Sequence, residues 1–257
     1  MRKVSLAVSL VALLAASPVL ADDNYSDIDQ LAGTTDSSVT IDQTYLGATG
    51  LNQNFSKVLQ RDNTTKTHAT VIQTSNGQNN ESRIDQAGTR STAIVEQNTE
   101  VRADSGKNYS NIIQNGTGGS GERNFVTVEQ EGNISDNDSR VDQNGAKLTT
   151  TIVQRGTNAL NDSRVDQDGS DSTILVHQLG HTNNNTSDIT QQTSGSTIEV
   201  RQGLASAGSG NINESFIDQF ANDSEIYVTQ GQLSSNLSHY SNIVQHGSDN
   251  EINVTQE

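Results

Sequence analysis

Residues 79–97 read NNESRIDQAGTRSTAIVEQ. The same alternation runs through them twice, as Asn80-x-Ser82-x-Ile84-x-Gln86 and as Ser91-x-Ala93-x-Val95-x-Gln97, with a short Gly-containing break between. A period of two is the signature of a strand with one buried face, because successive side chains point to opposite sides. Asn80, Ser82, Ile84 and Gln86 therefore share a face, and Arg83 and Asp85 lie on the other. The charged side is the solvent side, so each buried alternation ends in a glutamine.

Aligned on Gln86, the first half of this pattern occurs nine times, at Gln30, Gln60, Gln86, Gln114, Gln143, Gln167, Gln191, Gln219 and Gln245. Ser stands four residues earlier and Ile or Val two earlier: Ser26 and Ile28, Ser56 and Val58, Ser82 and Ile84, Ser110 and Ile112, Ser139 and Val141. The series continues with Ser163 and Val165, Ser187 and Ile189, Ser215 and Ile217, Ser241 and Ile243. Six residues before the Gln stands Asn24, Asn54, Asn80, Asn108, Asn137, Asn161, Asn185 or Asn213, and His239 replaces it in the last unit. The second half ends at Gln43, Gln73, Gln97, Gln130, Gln154, Gln178, Gln202, Gln230 and Gln256, with Val or Ile two residues before each, as at Val95. A fixed repeat of this length marks a solenoid.

The fold expected is all-β: a β-solenoid of nine stacked strand-turn-strand repeats, starting near residues 24, 54, 80, 108, 137, 161, 185, 213 and 239. Opposed inner faces would lie about 10 Å apart and successive rungs about 4.8 Å apart, a column of roughly 43 Å. Repeated inward amides then fall above one another and can bond along the stack, which offsets the cost of burying them. One rung cannot stand alone. Its few aliphatics contribute about 1.5–3 kcal/mol each, against ordering about 25 residues at roughly 1–2 kcal/mol each. Stability must come from neighbouring rungs.

The chain opens MRKVSLAVSLVALLAASPVLA, a secretory signal over 1–21, which leaves a repeat domain over 22–257. Removing Arg2 and Lys3 from the 15 basic residues leaves 13 against 31 acidic ones, a net charge of −18. Such a chain lacks the basic footprint of a nucleic-acid partner. No later stretch reaches the roughly 20 apolar residues of a membrane span. With no cysteine, neither disulfides nor thiolate metal sites hold the fold. The only proline is Pro18, so nothing downstream interrupts strand pairing. The repeats begin at Asn24 and run to Gln256 with no cap in view, an arrangement expected to leave strand edges open for end-to-end growth.

Two catalytic readings are weak. His68, His177, His181, His239 and His246 are not spaced to converge as a metal set on alternating strands. The carboxylates recur on an outward face, whereas a glycosidase acid and its partner form one unique pair. No cofactor and no enzymatic activity are expected. Tyr25, Phe55, Tyr109 and Tyr240 all stand five residues before a first-half Gln, on the outward face, as either a stacking ladder or scattered surface aromatics.

The double pattern Ser-x-[Ile/Val]-x-Gln-x-Gly, then [Ala/Ile/Val]-x-[Val/Ile]-x-Gln, resembles the curlin repeat of curli, the functional amyloid of bacterial biofilms. SRIDQAGTRSTAIVEQ at 82–97 carries it most fully, and the resemblance spans nearly the whole mature chain. It implies export from a Gram-negative cell with the help of a periplasmic chaperone and an outer-membrane pore. Nucleated assembly into extracellular cross-β fibres that serve biofilm and adhesion would follow. It implies core and ladder roles for the Asn, Ser, Ile/Val and Gln positions above, and turn roles for Gly88, Gly116, Gly145, Gly169 and Gly247. Outward Asp residues would act as gatekeepers against premature assembly. The sequence departs from the pattern where Ala32, Asp62, Thr193 and Ala221 replace the turn Gly, and almost nothing corresponds to the family's N-terminal targeting segment. The expectation is a fibre subunit whose main partner is itself, with a nucleator subunit beside it. The alternatives are that this chain is the nucleator, or a monomeric secreted β-solenoid that binds a surface or glycan.

Overall fold

A computed structural model describes residues 24–45, 54–62, 64–75, 79–98, 107–117, 123–133, 136–157, 160–180, 184–203, 212–231 and 238–256. The expected signal segment 1–21, His181 and most of the Gly-rich insert at 116–123 lie outside the described residues.

The described residues form eighteen strands, two per repeat, and each pair makes one rung. Rungs 1 to 3 are β1 (Tyr25–Gln30) with β2 (Ser38–Tyr45), β3 (Asn54–Gln60) with β4 (His68–Ser75), and β5 (Asn79–Thr89) with β6 (Ser91–Asn98). Rungs 4 to 6 are β7 (Lys107–Thr117) with β8 (Asn124–Asn133), β9 (Asp136–Ala146) with β10 (Thr149–Thr157), and β11 (Leu160–Ser170) with β12 (Thr173–Gly180). Rungs 7 to 9 are β13 (Asn184–Ser194) with β14 (Thr197–Gln202), β15 (Ile212–Asn222) with β16 (Glu225–Gln230), and β17 (His239–Ser248) with β18 (Glu251–Gln256). Alternating Ile, Val and Thr suit a pleated, half-buried surface.

The two strands of a rung belong to different sheets. Odd-numbered strands form one nine-stranded sheet, even-numbered strands the other, each ordered along the chain. All neighbours are parallel, and like positions meet like: Asn80 lies beside Asn108, Ser82 beside Ser110, Ile84 beside Ile112 and Gln86 beside Gln114. A slip of one residue would turn every one of these side chains outward, so the register is set by the core itself. The architecture is a β-solenoid.

Between the sheets runs one apolar core. The odd sheet contributes Val58, Ile84, Ile112, Val141, Val165, Ile189, Ile217 and Ile243, and the even sheet contributes two positions per rung, for example Ala93 with Val95 and Ile174 with Val176, except in rung 5, where Thr150 stands beside Ile152. The inward Asn, Ser, Ile/Val and Gln of rungs 2 to 8 are buried. Rung 1 differs, because Asn24, Ser26 and Ile28 are exposed and Gln30 and Gln43 only half-buried. In rung 9, β17 stays covered while Ile252, Val254 and Gln256 of β18 are half-buried.

The reversal between the strands of a rung falls on a column of residues in the left-handed backbone region: Asp36, Lys66, Arg90, Lys147, Asp171, Gly195, Asp223 and Asp249. From rung 3 onward these stand four residues after the Gln, whereas Asp36 and Lys66 stand six after it. Gly88, Gly145, Gly169 and Gly247 lie two residues before that reversal, and these four and Gly116 all fall within the ends of odd strands. Gly88 has φ +85° and a Cβ there would stand 1.8 Å from the Gly116 carbonyl oxygen, so the glycine position permits close stacking of the backbone. The left-handed residue itself is mostly Asp, Lys or Arg, and Asp tolerates that conformation better than most. The backbone ladder continues around the corner, with Asp171 N–H donating to Ala146 and Asp223 N–H to Ser194.

Candidate functional site

The feature that distinguishes this solenoid chemically is its set of buried amide columns. In the odd sheet each Gln Nε2 donates to the Oε1 of the next Gln, from Gln30 through Gln60, Gln86, Gln114, Gln143, Gln167, Gln191 and Gln219 to Gln245, at 2.6–3.2 Å. The even sheet repeats this from Gln43 through Gln73, Gln97, Gln130, Gln154, Gln178, Gln202 and Gln230 to Gln256, at 2.8–3.0 Å. A third column of Asn runs the opposite way. Asn54 Nδ2 donates to Asn24 Oδ1, and each later Asn donates to the one before it as far as Asn213, at 2.8–3.1 Å. A primary amide carries its donor and acceptor on opposite sides, which lets it bridge the strand spacing in both directions.

The even-sheet glutamines have a second role that alternation alone does not reveal. Their Nε2 also donates across the rung, to the backbone carbonyl five residues before the odd-sheet Gln: Gln97 to Glu81, Gln130 to Tyr109, Gln154 to Asp138, Gln178 to Asp162 and Gln202 to Thr186. Gln43, Gln73, Gln230 and Gln256 do the same to Tyr25, Phe55, Glu214 and Tyr240. One hydrogen of the amide thus holds the stack and the other pins the two sheets together. The sequence signal for this is present, since every second half ends in Gln, but its direction depends on where the two sheets meet.

Serine does not form a ladder. The hydroxyls of Ser82, Ser110, Ser163 and Ser187 are buried without a partner. Oγ sits one bond from Cβ and spans the roughly 4.8 Å between rungs less readily than an amide: among the described inward serines Ser241 Oγ reaches its neighbour, donating to Ser215 Oγ at 3.2 Å. The small side chain instead leaves room for the opposing glutamine, as where Gln43 Nε2 approaches Ser56 Oγ at 3.3 Å.

The Asn column ends irregularly. Asn213 Oδ1 and His239 Nε2 are buried with no partner, and His239 is only 9% exposed. At the other end Asn24 Nδ2, in an exposed setting, reaches only Gln43 O, at 3.3 Å.

On the outer face, like charges are stacked in the middle of the column. Asp138 lies beside Asp162, Arg140 beside Arg164 and Asp142 beside Asp166. Crowding by the neighbouring rungs, then the Asp162 carboxylate, raises the Asp138 pKa above the usual aspartate range, and burial and Asp166 do the same to Asp142. Asp162 is raised by burial and by Asp188. For Glu81 burial acts upward, but Lys107 and Arg83 outweigh it and hold the group below its usual range.

Two pairs of aromatic rings lie toward the two described ends of the odd sheet. Tyr25 stacks on Phe55 with centroids 5.3 Å apart, and Tyr240 packs against Phe216 at 5.7 Å. Tyr109 has no ring beside it and instead lies 5.5 Å from Lys107 Nζ. Of the histidines, His68 bonds Ser38 Oγ, His246 stacks on Phe220, and His177 lies beside Val153 and Arg201. Among the described residues no three of His, Cys, Asp and Glu form a group that could hold a metal ion. No family model, curated protein or solved structure matches this chain.

Proposed function

We propose that this chain is a secreted structural subunit that polymerises by adding whole solenoids end to end, with the curli-like biofilm and adhesion role that the repeat resemblance implies. Rung 1 supports this reading above all: its Asn24, Ser26 and Ile28 are exposed, although the same positions in rungs 2 to 8 are buried. An exposed parallel edge with unpaired backbone groups is a template for another strand. A contact between two different ends cannot close on itself and so gives a filament. The fibre would be the product of export through an outer-membrane pore with a periplasmic chaperone, started by a nucleator subunit and carrying no catalytic site.

Incubation of the purified mature chain with time-resolved electron microscopy and thioflavin fluorescence tests the reading. Unbranched fibres should appear after a lag that preformed fragments shorten. A folded monomer that sediments unchanged at high concentration would overturn it and favour a monomeric surface binder.

A further inference from the structure

If solenoids add end to end, rung 9 of one copy must meet rung 1 of the next, and two orientations keep the strands parallel. In the aligned joint β17 covers β1 and β18 covers β2. In the other, the incoming copy is turned half a revolution about the column, so that β17 covers β2 and β18 covers β1. The geometry points to the aligned joint, formed with a second copy of this chain and closed on its outer face by a clasp of aromatic rings. This rests on the polymer reading above.

The inward columns discriminate first. In the aligned joint Ser241 falls on Ser26, Ile243 on Ile28, Gln245 on Gln30, Ile252 on Val39, Val254 on Ile41 and Gln256 on Gln43, the pairing used inside the molecule. Turning the incoming copy places Ser241 on Val39 and Ile252 on Ser26, which sets a hydroxyl against an aliphatic group at two buried positions. The amide columns also keep their direction across the aligned joint. Glutamine donors point toward rung 9 throughout, so Gln245 and Gln256 present Nε2 where Gln30 and Gln43 present Oε1. Asparagine donors point toward rung 1, and the residue that falls on Asn24 is His239, the one departure from Asn at that position.

The outer face discriminates independently. The aligned joint places Tyr240 on Tyr25, Asn242 on Asp27, Val244 on Asp29, His246 on Leu31, Glu251 on Ser38, Asn253 on Thr40 and Thr255 on Asp42. Along the strands no carboxylate meets a carboxylate, and only at the corner does Asp249 fall on Asp36, whereas the junction of rungs 5 and 6 stacks two Asp pairs and an Arg pair. Tyr240 and Tyr25, now 56% and 52% exposed, would join Phe216 and Phe55 in a run of four rings across the joint. The turned joint leaves Tyr240 beside Ser38. Aromatic end rungs whose strand carboxylates meet only neutral groups suit a self-complementary contact, since like charges across it would repel.

Paired cysteines read the orientation directly, because the chain has none of its own. Residues 27 and 242 lie eight rungs apart in one molecule, so they can bridge only between copies, and adjacent parallel strands bring Cα atoms within the roughly 4.4–6.8 Å that a disulfide accepts. Fibres of Asp27→Cys/Asn242→Cys and of Thr40→Cys/Asn242→Cys are assembled reduced, checked by microscopy, then oxidised and run on a non-reducing denaturing gel. The aligned joint predicts a reductant-sensitive oligomer ladder at least tenfold stronger for the first pair. Equal or stronger bridging in the second pair, or none in either pair although both form fibres, overturns the aligned joint. Failure of the unmodified chain to form fibres overturns the polymer reading itself. Tyr240→Ala against Tyr109→Ala gives an independent measure. The first should raise the critical concentration roughly three- to tenfold, the scale of one aromatic pair, and the second should leave it unchanged. Equal effects would contradict the clasp.

Discussion

At the junction of rungs 5 and 6 the inner face is dry, with Val141, Val165, Gln143 and Gln167 buried, and the outer face stacks Asp138 on Asp162 and Arg140 on Arg164. At rung 1 the same repeat leaves Ile28 and Tyr25 open, 40% and 52% exposed, and its outer face is nearly free of like-charge stacking, with Asp27 bridged to Lys57 at 3.0 Å. The middle therefore supplies cohesion from the core while its surface resists close approach of further strands. The ends have a surface ready for a neighbour but a core that is incomplete without one. This division of labour follows from substituting only the outward positions of a repeat whose inward positions stay constant.

The most damaging way to break the middle is to remove an even-sheet amide. Gln154→Leu leaves Gln130 without its stacking acceptor and the Gln178 Oε1 without its donor, both at buried sites, and removes the bond across to the Asp138 carbonyl. At about 1–3 kcal/mol for each of these two unsatisfied groups the loss should be on the order of 2–6 kcal/mol, read as a large fall in the guanidinium midpoint of the assembled protein. The same change at Gln256, half-buried in rung 9, should cost clearly less in the same assay. Ile152→Ala should follow at roughly 2–5 kcal/mol, because the rigid stack cannot collapse around the cavity. Ile28→Ala should cost under about 1 kcal/mol in unassembled protein, since little of that side chain is removed from water.

Acidity sharpens the comparison next. A carboxyl whose folded pKa is raised binds more protons folded than unfolded, so the stability linked to it is fully present below the ordinary aspartate range and is lost as pH rises through the folded value. Asp138, Asp142 and Asp162 behave this way, and Glu81, held low by Lys107 and Arg83, behaves oppositely. Lowering the pH from neutral into the carboxylate range should therefore strengthen the middle of the column. The guanidinium midpoint should rise, and in Asp138→Asn/Asp162→Asn that rise should shrink. The smallest effect is expected at Arg83→Ser, whose partner Glu81 lies 2.7 Å away on the surface; such pairs contribute roughly 0.2–1 kcal/mol, and elongation rates should be almost unchanged.

Much of this arrangement was legible in the sequence, because alternation and repeat length together leave few places for Asn80, Ser82, Ile84 and Gln86 to point. Three features were not. The left-handed corner at Asp171 stands two residues beyond Gly169, since closure of the arch between sheets decides which residue reverses, and several residue types accept that conformation. The inward serines read like the inward amides, yet Ser163 finds no partner because reach, which periodicity does not encode, separates a hydroxyl from an amide. The clasp from Gln154 to the Asp138 carbonyl joins two sheets whose relative placement no local pattern specifies. The outward aromatics were visible as positions, but only the stacking of Tyr25 on Phe55 and of Tyr240 against Phe216 shows that they cluster at opposite ends while Tyr109 stands apart.

The central claim is that rung stacking continues from one molecule into the next, and X-ray diffraction from aligned fibres tests it most directly. A meridional reflection at about 4.8 Å together with an equatorial one near 10 Å is the predicted pattern, with strands perpendicular to the fibre axis. Aligned fibres that lack the meridional reflection, or place it on the equator, would contradict end-to-end stacking of these rungs.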